Sequence, residues 1–128
     1  MNSHFNNREP VYVQVIRSFK EQIATGELQP GQEIPSRREL ASLMGINPNT
    51  AQRAYKEMEE QGLIHTERNF PSKITTNDEV LSAVREELIN EAVEVFVSSV
   101  HSIQLPLDEV LSRVKEKFGS RKKEGNHD

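Results

Sequence analysis

The sequence has 128 residues, of which 34% are hydrophobic and 5% aromatic, and it has no cysteine. This length allows one core of ordinary size with a small appendage, so we do not expect a large catalytic cleft. The lack of cysteine excludes disulfides, thiolate metal sites and cysteine nucleophiles. No apolar run approaches the roughly 18 residues that a membrane span needs, so we expect a cytoplasmic protein.

The formal net charge of −4 is unevenly distributed. Residues 1–77 carry nine Lys or Arg and nine Glu, whereas residues 78–128 carry seven basic and eleven acidic side chains. Six of the nine basic residues in the first part lie between Arg37 and Lys73. Because phosphate binding depends on local clusters of charge, this segment is the candidate for contacting a polyanion.

The chain begins with a helical pattern from Pro10 to Gly26, followed by a Pro30-Gly31 turn and a brief strand at Glu33 and Ile34. Two short helices are then expected between residues 34 and 62. The first can start with a Ser-x-x-Glu capping box at Ser36 and end at a glycine. The second can start at an Asn-Pro pair. A three-residue break between two capped helices matches the helix-turn-helix, whose second helix enters the DNA major groove.

The second of these helices has polar side chains concentrated in its N-terminal half, while Glu57, Glu59 and Glu60 would repel phosphate at its far end. Asn49 and Gln52 suit adenine, Arg53 suits guanine, and a solvated amphipathic helix is the alternative. Further candidates lie at the start of the first helix, in the turn and in the segment after the second helix. The candidate DNA-binding residues are Ser36, Arg37, Arg38, Asn47, Asn49, Thr50, Gln52, Arg53, Lys56, Arg68 and Lys73.

After Gly62, residues 63–67 and 73–75 predict two short strands around a loop. Helix, short strand, two helices and a hairpin make a winged helix-turn-helix. We therefore expect a mainly α fold with a small β wing.

Several ordered motifs carry a family resemblance. They are Pro10-Val11-Tyr12-x-Gln14, Gly26-x-Leu28-x-Pro30-Gly31, Ile34-Pro35-Ser36-x-Arg38-Glu39-Leu40-Ala41, Gly45-Ile46, and Ala54-Tyr55 through Gly62-Leu63-Ile64. Together they resemble the DNA-binding domain of GntR-family regulators over residues 10–75. The resemblance implies that Arg38, Thr50 and Arg53 contact DNA.

Two segments depart from the usual family pattern. Pro48 replaces a common DNA-contacting arginine, in an Asn-Pro-Asn-Thr form that resembles the YtrA-like subfamily. That likeness implies a repressor with a short two-helix C-terminal part. The wing lacks the two family glycines, although Asn69 can adopt a positive φ.

From Thr76 the pattern changes to that of a long helix, with a second capping box at Thr76 and Glu79. A further helix follows Pro106 and is expected to end at Gly119. The expected organisation is an N-terminal tail (1–9), a winged helix-turn-helix domain (10–76), a two-helix dimerisation domain (77–119) and a disordered tail (120–128).

The apolar stripe of the long helix is wider than one partner helix can cover. A second copy of the chain is the simplest partner, because twofold homodimers are common and match palindromic operators. The alternative is packing against the chain's own winged helix. The candidate dimer-interface residues are Leu81, Val84, Leu88, Ala92, Val95, Phe96 and Val100.

The sequence has no pattern typical of a catalytic site. Its four histidines are dispersed, and it has no glycine-rich phosphate loop or nucleophile elbow. We expect no enzyme activity, metal or cofactor. The expected function is a homodimeric transcription regulator, a repressor that binds a palindromic double-stranded DNA operator. The alternative is a winged-helix protein–protein interaction module, and a small-molecule effector stays open.

Overall fold

The computed structural model describes residues 5–125, excluding the side chains of 123–125. The elements in order are α1 (Val11–Ala24), α2 (Arg37–Met44), α3 (Pro48–Glu60), β1 (Ile64–His65), β2 (Lys73–Ile74), α4 (Asp78–Ile103) and α5 (Leu107–Gly125). This order confirms the expected mainly helical fold with a small wing. The described residues form two compact units that divide within α4, after Ile89.

Local capping sets the ends of α2 and α3, as the sequence predicts. The Ser36 hydroxyl accepts from the Glu39 amide, and the Glu39 carboxylate accepts from the Ser36 amide, so the capping box is complete. Gly45 ends α2 with a φ of 64°, in the left-handed region that glycine adopts at little cost. Asn47 caps α3.

The core of the first unit is built where α1, α2 and α3 meet the two-stranded wing. Phe19 of α1 and Tyr55 of α3 contact edge to face, with ring centroids 6.0 Å apart. The strands pair antiparallel, with Ile64 opposite Ile74, and a single bridge joins Glu33 to Lys73. The expected brief strand at Glu33 is thus reduced to one bridge. The wing is anchored by its buried isoleucines and leaves its loop exposed.

The first half of α4 packs on this core. Val84 is only 3% exposed and belongs to the core cluster, while Leu81 and Leu88 are partly buried against it. The Lys20 ammonium donates to the Glu87 carboxylate at 2.8 Å, which joins α1 to α4. The start of α4 differs from the expected capping box at Thr76. Asn77 caps this helix instead, with its Oδ1 accepting from the Glu79 amide at 2.9 Å.

The second unit contains the rest of α4 and α5. Gln104 has a φ of 62° in the turn between them, and α5 begins after Pro106, as expected. The expected helix end at Gly119 is wrong, since α5 continues to Gly125. A glycine costs about 1 kcal/mol inside a helix but does not end it, and the residues that follow are good helix formers. Of the expected disordered tail, residues 126–128 lie outside the described part.

Residues 5–9 are packed on the first unit, although the sequence predicts a tail there. Phe5 contacts the core. The Gln14 side chain accepts from the Asn6 amide at 2.9 Å and donates to the Asn6 carbonyl at 3.0 Å. This one side chain therefore ties the segment to α1. Residues 1–4 of the expected tail lie outside the described part. None of the described helices is long and apolar enough to cross a membrane.

Candidate DNA interface

The N-terminal half of α3 presents short polar side chains on its exposed face, because its alanines face the core. Ala51 and Ala54 are fully buried. The Asn47 Oδ1 accepts from the Asn49 amide at 2.8 Å, so this side chain serves the helix cap. Asn49 is exposed and Thr50 half-buried. Asn49 is therefore the first side chain of α3 that is available to an external partner.

Arg37 joins α2 to α3 through both of its terminal nitrogens. Its Nη1 donates to the Gln52 Oε1 at 2.6 Å, and its Nη2 donates to the Glu59 Oε1 at 3.0 Å. Its guanidinium also lies 5.8 Å from the centroid of the Tyr55 ring. Arg37, which we predicted as a DNA contact, is thus engaged within the protein, and it reaches two residues that lie two turns apart on α3.

The polar contacts continue from Glu59 to the wing. The Thr66 hydroxyl donates to the Glu59 Oε1 at 2.7 Å. Because this uses its only hydroxyl hydrogen, the 2.6 Å contact between Thr66 and Ser72 requires Ser72 to be the donor. We call Gln52, Arg37, Glu59, Thr66 and Ser72 the polar chain. It connects the exposed face of α3 with both sides of the wing loop.

The Tyr55 hydroxyl donates to the backbone carbonyl of Pro35. The side chain is fully buried. Burial raises the pKa of Tyr55 above its ordinary value, Arg37 opposes this rise, and Glu39 adds to it. A neutral phenol therefore holds α3 against the entry to α2.

Arg53 is directed towards α1. Its guanidinium carbon lies 3.8 Å from the centroid of the Tyr12 ring, and its Nη2 donates to the Tyr12 hydroxyl at 3.0 Å. Its Nε also lies 3.8 Å from the Glu57 carboxylate. In this arrangement Arg53 joins α1 to α3, and contacting a base would require it to leave Tyr12.

The remaining predicted cations are exposed. Arg38 and Lys56 have no ion pair or hydrogen bond to another side chain of the described residues. Arg68 and Lys73 flank the wing loop, where Asn69 has a φ of 69°, as its sequence predicts. Phe70, at the same loop, is 62% exposed. The wing thus carries two cations and an exposed aromatic ring.

The predicted dimer residues fall into two groups along α4. Val84 is a core residue of its own chain, and Leu81 and Leu88 are partly covered by the same core. The alternative of packing on the winged helix therefore applies to this half. By contrast, Ala92, Val95 and Phe96 are exposed and Val100 is half-buried.

Residues 11–73 match the family described as "Bacterial regulatory proteins, gntR family". The HTH-type transcriptional regulator YhcF from Bacillus subtilis (strain 168) is 33% identical over 115 residues, which cover 90% of this chain and 95% of YhcF. The chain belongs to the GntR family. The HTH-type transcriptional repressor YtrA from the same strain is 34% identical over 108 residues, covering 84% of this chain and 83% of YtrA.

Two solved structures have a similar fold over the parts of the chain that they cover. A GntR family transcriptional regulator from Listeria monocytogenes has a TM-score of 0.80 and 28% identity, covering 88% of this chain and 98% of that one. The DNA-binding domain of AraR, solved in complex with operator ORX1, has a TM-score of 0.52 and 25% identity, covering 56% of this chain and 93% of that one. This GntR protein is accordingly a transcriptional regulator with a DNA-binding domain, and its relatives are regulators rather than enzymes.

Sequence reasoning missed the internal partners of the predicted site residues. Tyr12, Glu59 and Thr66 were not candidates, yet they position Arg53 and Arg37. The segment from Arg37 to Lys73 contains five glutamates beside its six basic residues, but the sequence does not identify which of them pair. Among the described residues, no group of three or more His, Asp or Glu could hold a metal ion.

Proposed function

We propose that this GntR regulator is a repressor that binds a palindromic operator as a homodimer. The observation that carries the proposal is the exposed N-terminal half of α3. It is a preformed helix end with Asn49 free, and the acidic residues lie at the other end. The name of the relative YtrA, a transcriptional repressor, supports repression rather than activation.

In this proposal, base reading belongs to Asn49 and Gln52, while Arg38, Thr50 and Lys56 contact phosphate. The exposure of Asn49 and Arg38 supports these roles. Arg53 takes a different role from the one that its residue type suggests, because its contacts with Tyr12 favour positioning α3 on α1. Arg68 and Lys73 are the wing's candidates for phosphate.

The homodimer is supported by the exposed apolar side chains of the second unit. Val95 is 69% exposed and Phe96 is 44% exposed, and Val93 and Val97 add apolar surface on the same stretch of α4. Contiguous exposed apolar residues of this kind are typical of association surfaces. A dimer supplies two winged helices, which a palindromic operator requires.

The experiment is selection of bound sequences from random double-stranded DNA with the full chain. We expect enrichment of a dyad whose half-sites are about one helical turn apart or a multiple of it. No enrichment over the starting pool would contradict sequence-specific binding and favour a protein-interaction module. Enrichment of an isolated, asymmetric site would contradict the palindromic homodimer.

A further inference from the structure

We infer that Arg37 fixes the amide of Gln52 so that α3 presents the NH2 group of Gln52 at this position, and that the base it selects is guanine. The inference rests on the proposed function, because it concerns how that site distinguishes bases. It starts from the contact between Arg37 Nη1 and Gln52 Oε1 at 2.6 Å.

The chemistry of arginine settles which end of the amide faces it. A guanidinium has five N–H donors and no acceptor, so only the oxygen of Gln52 can face Arg37 at this distance. The oxygen and the NH2 group diverge from the trigonal amide carbon. The NH2 group of Gln52 is therefore directed away from Arg37.

The guanidinium is itself held in place by further contacts. Its second nitrogen donates to Glu59 at 3.0 Å, and that carboxylate also accepts from Thr66 at 2.7 Å. The ring of the buried Tyr55 lies on one side of it. Because Arg37 is fixed to α3 and, through Thr66, to the wing, a flip of the Gln52 amide would lose a charge-assisted hydrogen bond and place NH2 donors against a cation.

This orientation changes the base that Gln52 can recognise. The familiar glutamine–adenine pair needs both the oxygen and the NH2 group to face the base, accepting from N6 and donating to N7. The Gln52 oxygen already accepts from Arg37, so adenine would have to share it through the remaining lone pair, whereas guanine needs only the two amide hydrogens. Guanine offers them two adjacent acceptors, N7 and O6, whereas adenine would set its N6 amino group against them. Guanine therefore replaces the adenine that we expected from residue type alone.

The test compares base preferences selected from random DNA by the full-length wild type and its variants. Gln52→Ala identifies the base pair that this residue reads. At that pair we expect wild type to prefer guanine over adenine by about 5- to 150-fold. Arg37→Met retains an unbranched side chain but releases the Gln52 amide. The variant should therefore bind DNA with adenine at this pair at least as tightly as DNA with guanine. Gln52→Glu keeps the Arg37 contact but presents an acceptor, so guanine should be lost in favour of cytosine.

Lys56→Met is the matched control, since it removes an exposed cation one turn further along α3. It should weaken binding to all sequences alike and leave every base preference unchanged. Melting curves establish that each variant is folded. If Arg37→Met unfolds, wild type and Gln52→Glu decide together: adenine at this pair in wild type, or guanine persisting in Gln52→Glu, would contradict the inference.

Three results would overturn the inference while leaving sequence-specific binding intact. They are an adenine at the pair read by Gln52, an unchanged guanine preference in folded Arg37→Met, and no effect of Gln52→Ala at any base pair. Failure of wild type to enrich any sequence would instead overturn the proposed function on which the inference rests.

Discussion

Replacing two exposed apolar residues of α4, in the variant Val95→Asp/Phe96→Asp, should dissociate the proposed dimer without unfolding the winged helix. Full burial of a Val or Phe side chain contributes about 1.5 to 3 kcal/mol. With exposures of 69% and 44%, the pair can offer a partner roughly 2 to 3 kcal/mol per chain. Both chains of a symmetric dimer contribute this amount, so the double substitution should weaken association by roughly 4 to 6 kcal/mol. That corresponds to a factor of about 10³ to 10⁴ in the dimer dissociation constant.

The assay is sedimentation of wild type and variant from nanomolar to high micromolar concentration, beside denaturant unfolding. We expect a dimeric wild type at micromolar concentration and a folded, monomeric variant. The matched control is Val84→Ala on the same helix. Because Val84 is buried in its own chain, this change should lower the free energy of unfolding by about 2 kcal/mol and leave the dimer constant unchanged. A variant that still sediments as a dimer, or a wild type that is monomeric at micromolar concentration, would refute this reasoning.

Three further predictions concern the first unit. Arg38→Ala should weaken binding to all DNA sequences alike and flatten the salt dependence by about one unit, measured as log K against log salt. Asn49→Ala should relax preference at one base pair by roughly 1 to 3 kcal/mol in competition binding, with an unchanged salt slope. Tyr55→Phe should lower the unfolding free energy by about 1 to 3 kcal/mol, because the Pro35 carbonyl loses its donor. Since burial raises the folded pKa of Tyr55, wild type should lose stability above about pH 10, and chemical denaturation should find that loss smaller in Tyr55→Phe.

The parts of the fold that depend on residues close together in the sequence could be predicted. The capping box at Ser36, the left-handed Gly45 and the Asn47 cap each depend on chemistry within four residues, and all three are confirmed. The start of α4 marks the limit of such reasoning. Thr76 and Asn77 are both good caps, and the side-chain bonds of Asn77 to Glu79 and Val80 decide between them.

The partner of an apolar stripe could not be predicted, because periodicity identifies a buried face without identifying what buries it. The stripe on α4 is continuous in sequence, yet Val84 is covered by its own chain while Val95 is exposed. The polar chain could not be predicted from the sequence for a related reason. Arg37 contacts residues 15 and 22 positions away, and such pairs follow from how helices pack.

The most direct test of the proposed function is a stoichiometric titration of the selected operator and of its isolated half-site. Two winged helices on one dimer act at a high effective concentration, so we predict two chains per full operator and an affinity at least about 100-fold tighter than for the half-site. In Val95→Asp/Phe96→Asp this advantage should disappear while half-site binding remains. One chain per operator, with equal affinity for operator and half-site in wild type, would contradict the account.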